Sequence, residues 1–433
     1  MNELKKIHFV GIGGIGMSAL AQLFHHIGII VTGSDRETSP VTELVESKGI
    51  PVVIGQKAEN VPTDADVVVY SDAVAEDNPE RVRATELNIP QLSYFQMLGK
   101  VSEGKKTIAS AGTHGKTTTT GMLAKILSDV GVGPTAIIGS IVQDFKSNYI
   151  AGSSDIFVVE ACEYKDHLLE LSPQVLVITN LEWDHTDFFP SFVALQETFK
   201  KAIAKVPVEG AIVTNPHDPN IAPLLGVAKA RIVDYTKEAV RTLRVPGGFN
   251  QNNAQAAAAA AHVILPSIPE AIVAFSLGGF HGSWRRFEYK GKTKNGADVY
   301  DDYAHHPTAI KETLKALREK MKESSSSEGK ILVAFHPHLY SRTRDLLDEF
   351  SNAFKNADTV IIAPIYAARE VDDGSISSGM LAERITATGI NATALDSFDA
   401  IEHTLSSAGP HDTIITMGAG DINKLANALV EKK

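Results

Sequence analysis

Residues 107–120 read TIASAGTHGKTTTT, a short apolar strand that runs through a glycine-bearing turn into the first turn of a helix. The core Gly115-Lys116-Thr117 supplies what a phosphate loop needs. Backbone N–H groups wrap phosphate oxygens, an ammonium reaches the β and γ oxygens, and a hydroxyl is available to Mg²⁺. Ser110 stands where the strict pattern has glycine, so the loop is a variant. A chance GKT in a loop is common, but GKTTTT at a strand–helix junction is much less so. ATP is therefore the expected ligand, with Gly112, Thr113, His114, Gly115, Lys116, Thr117 and Thr118 around it.

A second glycine turn lies upstream. Gly11-x-Gly13-Gly14-x-Gly16 follows the apolar run Ile7–Val10 and opens a helical pattern, the context of a Rossmann fingerprint. Asp35 ends the next strand, where it is placed to accept hydrogen bonds from ribose hydroxyls. Alone, this turn fits NAD as well as a UDP-sugar, and a purely structural glycine turn is the bland reading. Two nucleotide turns change the odds. An NAD-dependent oxidoreductase uses one dinucleotide site and leaves the Lys116 loop unexplained. A non-catalytic nucleotide switch leaves the first turn unexplained. An enzyme that brings ATP to a second phosphate-bearing substrate uses both.

Working outward, short β-rich runs alternate with helical segments: Ile29–Thr32, Val67–Tyr70, Ile156–Val159, Val175–Thr179, Ile331–Phe335, Thr359–Ile362 and Thr413–Met417. Their near-continuous hydrophobicity suits parallel strands covered on both faces, so the expected class is α/β. The chain has 433 residues, a prior of about three domains. We place them at 1–100, opening with the glycine-rich turn, at 101–285, opening just before the phosphate loop, and at 286–433. The serine run Ser324–Ser327 is expected in a surface loop.

Composition narrows the class further. Lys plus Arg number 41 and Asp plus Glu 52, a net charge of −11, which lacks the footprint of a nucleic-acid or anionic-membrane binder. One cysteine, Cys162, excludes an intrachain disulfide and suits a reducing compartment. No apolar run approaches the ~20 residues a spanning helix needs. A cytoplasmic protein is expected, monomeric or weakly dimeric.

Other stretches carry chemistry at strand ends. Glu160, in VVEACEY, and Asp184-His185, in TNLEWDH, offer donors near a phosphate loop. Hard oxygen ligands suit Mg²⁺, whereas a lone histidine is more often a hydrogen-bonded surface residue. Asn250 and Asn253 precede an alanine-rich helix, where asparagine is usually a cap. Arg285-Arg286 is either a solvated basic turn or a phosphate clamp. DDYAHHP at 301–307 and His336, His338, Tyr340, Arg342 and Arg344 pack titratable groups after strands, with no convincing zinc spacing.

In order along the chain, GIGGIGMSALA (11–21), GSD (33–35), AGTHGKTTTT (111–120), EACEY (160–164), TNLEWDH (179–185), RRF (285–287), DDYAHHPTAI (301–310), FHPHLYSRT (335–343) and GAGDI (418–422) resemble the Mur ligases. These are ATP-dependent amide-forming enzymes of peptidoglycan precursor synthesis. The resemblance implies three domains, N-terminal Rossmann-like, central phosphate-loop ATPase-like with a parallel sheet and C-terminal Rossmann-like. It also implies that a substrate carboxylate is phosphorylated by ATP and that the acyl phosphate is then attacked by an amine. It points to UDP-N-acetylmuramate and L-alanine as substrates, with a murein-tripeptide recycling ligase as the alternative. It implies that Gly11, Gly13, Gly14, Gly16, Ser34, Asp35 and Ser71 hold the UDP-sugar, and that Thr117, Glu160 and His185 hold Mg²⁺. Asn250, Asn253, Arg286 and Asp302 are implied at ATP, and His305 and Arg342 at the amino acid and acyl phosphate. Three positions depart from the family pattern: the stretch from Tyr235 to Pro246 is short, Phe249 replaces a histidine, and Leu339 replaces an arginine common in relatives.

Overall fold

The computed structural model describes residues 4–239, 242–323, 329–368 and 370–430. Ser324–Ser327 lie outside the described residues. The architecture is three-domain α/β, built on three largely parallel sheets.

The first sheet takes β1 (Lys6–Val10), β2 (Ile30–Asp35), β3 (Val52–Ile54), β4 (Val67–Tyr70) and β5 (Gln91–Ser93) in the order β3-β2-β1-β4-β5, all parallel. Ile7, Phe9, Val10, Val68 and Val69 are fully buried, as strands with helices on both faces must be. Parallel pairing puts every strand's C-terminal end on one edge. Gly11, Asp35 and Ser71 follow or end β1, β2 and β4 there.

The second sheet joins β6 (Lys106–Ala111), β7 (Thr135–Val142), β8 (Ser147–Ile150), β9 (Ile156–Glu160), β10 (Val175–Ile178), β11 (Ala211–Thr214) and β12 (Arg231–Asp234) in the order β12-β11-β10-β6-β9-β7-β8. Only the β7–β8 hairpin is antiparallel among its described pairs. β6 is the middle strand, so the phosphate loop that follows it sits over the sheet's centre.

The helix Ile15–His26, which the first glycine turn opens, is fastened to that hairpin. Asn148 is fully buried; its Nδ2 donates to the Ile15 carbonyl (2.5 Å) and the Ser18 hydroxyl (2.8 Å), and its Oδ1 accepts from Gln22 Nε2 at 3.0 Å. A buried amide with its hydrogen bonds satisfied fixes orientation, because any shift strands polar atoms away from water.

The third sheet joins β13 (Glu288–Lys292), β14 (Asp298–Asp302), β15 (Ile331–Phe335), β16 (Thr359–Ile362), β17 (Asn391–Ala394) and β18 (Thr413–Met417) in the order β13-β14-β18-β15-β16-β17. Period-two alternation divides its core. Val333, Phe335, Val360, Ile362, Ile415 and Met417 pack on one face against Ile310, Leu314, Phe350 and Leu381. Ala334, Ile361, Val299 and Ile414 pack on the other against Ile401, Leu405 and Leu425.

The described residues form two compact units. Those within 1–181, 195–242 and 253–281 carry the first two sheets, and those within 182–194, 243–252 and 282–433 carry the third. No described helix is long and apolar enough to cross a membrane.

Candidate active site

In the first unit, the phosphate loop leaves β6 and enters the helix Lys116–Asp129 through Gly115, at φ +83°. A Cβ at Gly115 would lie 2.1 Å from Asn253 Oδ1, so only glycine serves there. Thr179 and Asn180, just past β10, brace the loop. The Asn180 carbonyl accepts from Thr113 N (3.2 Å) and its Oδ1 from His114 N (2.9 Å). Asn180 Nδ2 and the Thr179 hydroxyl both donate to the His114 carbonyl, at 2.9 and 2.6 Å.

Lys116 is held at three points. Its Nζ donates to the carbonyls of Gly112 (2.5 Å) and Thr113 (3.2 Å) and to Glu163 Oε1 (3.0 Å). Burial works against its charge, but Glu163, with Cys162 and Glu160 nearby, outweighs burial and holds the ammonium above the usual lysine range. The cation is thus preorganised at the mouth of a helix N-terminus, where anions are favoured.

Glu160 ends β9 with Oε2 accepting from Gly139 N at 2.9 Å; Oε1 makes no hydrogen bond among the described residues. The Thr117 hydroxyl is buried, and like the Glu160 carboxylate it is a hard-oxygen donor, the chemistry Mg²⁺ prefers.

At the edge of the first sheet, Gly11 N and Ile12 N donate to the Ser34 carbonyl, both at 2.9 Å, and Gly13 N donates to Asp35 Oδ2 at 2.8 Å. Asp35 therefore grips the glycine turn itself. The Ser34 hydroxyl points into the sheet, donating to Glu80 Oε2 at 2.7 Å, and His8 Nε2 meets the same oxygen at 3.0 Å. Burial would raise the Glu80 carboxyl, yet His8, Asn60 and Ser34 together hold it below its usual range. Ser71 lies on the same edge, its N–H donating to the Val10 carbonyl at 3.1 Å.

In the second unit, the RRF motif divides. Arg285 is a buried strut: Nε donates to Asp301 (2.8 Å), Nη1 to the Gly420 carbonyl (3.0 Å) and Nη2 to the Gly418 carbonyl (2.7 Å). The Arg286 guanidinium lies 5.0 Å from the Tyr303 ring centre. Asp302 accepts from Phe287 N and Ala304 N at 2.8 and 2.7 Å; burial, partly offset by Arg286, pushes its carboxyl up to about 6.

Asp184 and Arg342 form a buried pair, with Arg342 Nε and Nη2 reaching Oδ1 at 2.9 and 2.8 Å. Burial opposes the Asp184 charge, but Arg342 and the neighbouring histidines hold the carboxyl well below its usual range. Arg342 Nη1 also meets His338 Nδ1 at 3.1 Å, so the whole fork is engaged. His305 directs Nδ1 at the Tyr303 carbonyl (2.8 Å); burial, then the Arg342 cation, holds it neutral, well below the usual histidine range.

His185 follows Asp184 at φ +54°, a left-handed conformation costing a non-glycine residue about 1–3 kcal/mol. Its N–H donates to Asp184 Oδ1 at 2.6 Å, which helps to hold it there. Leu339 is at φ +72°, with its side chain buried in the core. Asn250 lies in this unit, Nδ2 donating to the Pro246 carbonyl at 2.6 Å, while Asn253 is in the first, where Oδ1 accepts from Thr119 at 3.4 Å.

Of the expected residues, the first unit brings together Gly112–Thr118, Glu160 and Asn253, and separately the Gly11–Gly16 turn with Asp35 and Ser71. The second brings together Arg286 with Asp302, and His185 with His305 and Arg342. Sequence reasoning assigned no role to Glu163 or Asn180, and offered Asp184 as a donor near the phosphate loop rather than as the partner of Arg342. All three stand inside the stretches EACEY and TNLEWDH, but their partners lie far away in the chain.

A glycine turn on one parallel sheet beside a lysine-bearing phosphate loop on another defines a class: ATP-using enzymes that act on a second phosphate ester. The Mur ligase family matches this chain in three stretches. Residues 6–106 match "Mur ligase family, catalytic domain", residues 111–243 "Mur ligase middle domain", and residues 285–420 "Mur ligase, glutamate ligase domain". The chain belongs to the Mur ligase family. It is 40% identical over 464 aligned positions to a UDP-N-acetylmuramate–L-alanine ligase of Acetivibrio thermocellus, covering 100% of this chain and 97% of the relative. It is 37% identical to the protein of that name from Clostridium novyi, covering 99% and 98%. The crystal structure of UDP-N-acetylmuramate-alanine ligase from Thermotoga maritima matches with TM-score 0.78 and 30% identity, covering 98% of each chain. A murein peptide ligase of Psychrobacter arcticus shares the fold at TM-score 0.73 and 24% identity.

Proposed function

We propose that this protein is an ATP-dependent ligase joining L-alanine to the carboxylate of UDP-N-acetylmuramate through an acyl phosphate. One observation carries the reading: likeness at 37–40% identity along essentially the whole chain to proteins named for that reaction. The domain limits that go with this reading are 1–100, 101–285 and 286–433.

The chemistry brings two anions together, the substrate carboxylate and the γ-phosphate. Lys116, already charged and anchored by Glu163, offsets that repulsion and stabilises the charge on the transferring phosphoryl group. Thr117, Glu160 and His185 are the residues that would hold Mg²⁺; the ion, when bound, neutralises phosphate charge. The carboxylate oxygen attacks the γ-phosphorus and ADP departs. The ammonium gives one proton to solvent; the free amine attacks the acyl carbon, the C–O bond to phosphate breaks, and the second proton leaves with the departing phosphate. His305, neutral and with Nδ1 committed to Tyr303, presents Nε2 as a hydrogen-bond acceptor for the incoming ammonium. Asn250, Asn253, Arg286 and Asp302 are assigned to ATP, and Asp184 positions Arg342.

The test is phosphate release from Mg²⁺-ATP with UDP-N-acetylmuramate, offering L-alanine, glycine, L-serine or the murein tripeptide, with the product weighed by mass spectrometry. Release that needs both substrates and prefers L-alanine is the expected result. Preference for the tripeptide would transfer the protein to the recycling reaction. No release from folded, ATP-binding protein would overturn the reading.

A further inference from the structure

Tyr94 follows β5, on the same sheet edge as the Gly11–Gly16 turn, and its ring is laid directly on Gly16. A Cβ at Gly16 would fall 2.5 Å from the ring carbon that bears the hydroxyl and 2.6 Å from the hydroxyl oxygen. Glycine at this position is what lets the phenol reach the turn. The ring is fixed from behind: Phe95 meets it edge-on at 4.7 Å and stacks on His167 at 3.7 Å, and His167 Nε2 contacts Asp72 at 2.6 Å. Among the described residues, the Tyr94 hydroxyl makes no hydrogen bond, although the ring is largely enclosed. A polar atom held in place at the edge of an anion-binding turn, with no protein partner, is available to a ligand that lies along that turn.

We propose that the Tyr94 hydroxyl binds substrate, donating a hydrogen bond to the sugar-linked phosphate of a nucleoside diphosphate sugar lying along the Gly11–Gly16 turn. The proposal rests on the reading that this turn holds the UDP-sugar. Two features select that phosphate. The hydroxyl lies near enough to Glu160 and Cys162, at the end of β9, for both to act on it electrostatically. The sugar must extend in that direction if its carboxylate is to reach the phosphate loop. Burial, reinforced by Glu160 and Cys162, raises the phenol above its usual range, so it stays protonated and donates throughout the working pH range.

Calorimetric binding of UMP, UDP and UDP-N-acetylmuramate to wild type and Tyr94→Phe tests this, with steady-state kinetics alongside. The phenylalanine keeps the ring and its packing, and matching thermal unfolding verifies the fold. The expected result is about tenfold weaker binding of UDP and UDP-N-acetylmuramate, with UMP unchanged. KM for the UDP-sugar rises while kcat and the KM for ATP stay put. Gly16→Ala, which pushes the phenol aside, gives the same pattern. Undiminished UDP binding by Tyr94→Phe overturns the proposal, as does an equal loss for UMP. Wild type that binds neither UDP nor the UDP-sugar would instead remove the reading of the turn, and the proposal with it.

Discussion

The two glycine turns of the first unit have the same local plan and opposite electrostatics. Each leaves a central parallel strand and opens a helix whose first N–H groups face outward. The Gly11–Gly16 turn has a carboxylate in its grip, Asp35 on Gly13 N, and no lysine. The Gly112–Gly115 turn is gripped by a neutral amide, Asn180, and carries Lys116 with its own counter-ion, Glu163. A turn that only holds a diphosphate ester works with backbone dipoles. A turn that must stabilise charge moving between atoms needs a fixed cation, and that cation needs a carboxylate to stay charged when enclosed.

The largest test of this division is Lys116→Ala. Phosphate release should fall about a thousandfold, the scale of losing a preorganised charge contact. UDP-sugar binding by calorimetry should stay close to wild type. A parallel collapse in UDP-sugar binding would mean that the two turns act as one site. Gly115→Ala should come next: left-handed backbone and the 2.1 Å approach to Asn253 Oδ1 both oppose it. A stability loss of about 2 kcal/mol in chemical denaturation and loss of ATP binding are expected.

Asp35→Ala should be milder and confined to the first turn. It removes one charged hydrogen bond to Gly13 N, so UDP-sugar affinity should fall about tenfold to thirtyfold with the KM for ATP unchanged. Unchanged affinity would show that the carboxylate is dispensable for ordering the turn.

What could be read from the sequence, and what could not, follows from how far each signal reaches. Continuous apolar runs located β1, β2, β4, β6, β9, β10, β15, β16 and β18, strands buried on both faces. Edge strands went unseen for two reasons: β3 (Val52–Ile54) is apolar but only three residues long, and β17 (Asn391–Ala394) has no apolar run. Interior β7 also escaped, its apolar residues broken by Gly139 and Ser140. Glycine turns were legible because their signal is local. Lys116 with Glu163, Arg285 with Gly418, and Asp184 with Arg342 were not, because each pairing is set by strand order across 47, 133 and 158 residues. The same limit hid the Ser34 hydroxyl: GSD reads as a ligand motif, but Glu80 from a distant helix occupies that oxygen.

The smallest expected effect discriminates most finely between the two turns. Gly14 is at φ −61° and ψ 141°, a backbone any residue adopts, and a Cβ there would meet nothing closer than 3.4 Å. Its N–H closes the turn onto the Gly11 carbonyl at 3.1 Å, a bond alanine keeps. Gly14→Ala should therefore change stability by less than about 0.5 kcal/mol, in contrast to Gly115→Ala. UDP affinity should fall about threefold, less than for Asp35→Ala, because a methyl group crowds an anion near the turn without removing a donor. A loss as large as that of Asp35→Ala would place the diphosphate directly against the Gly14 backbone. The glycine would then be required by the ligand's approach, whereas Gly115 is required by the protein's own packing.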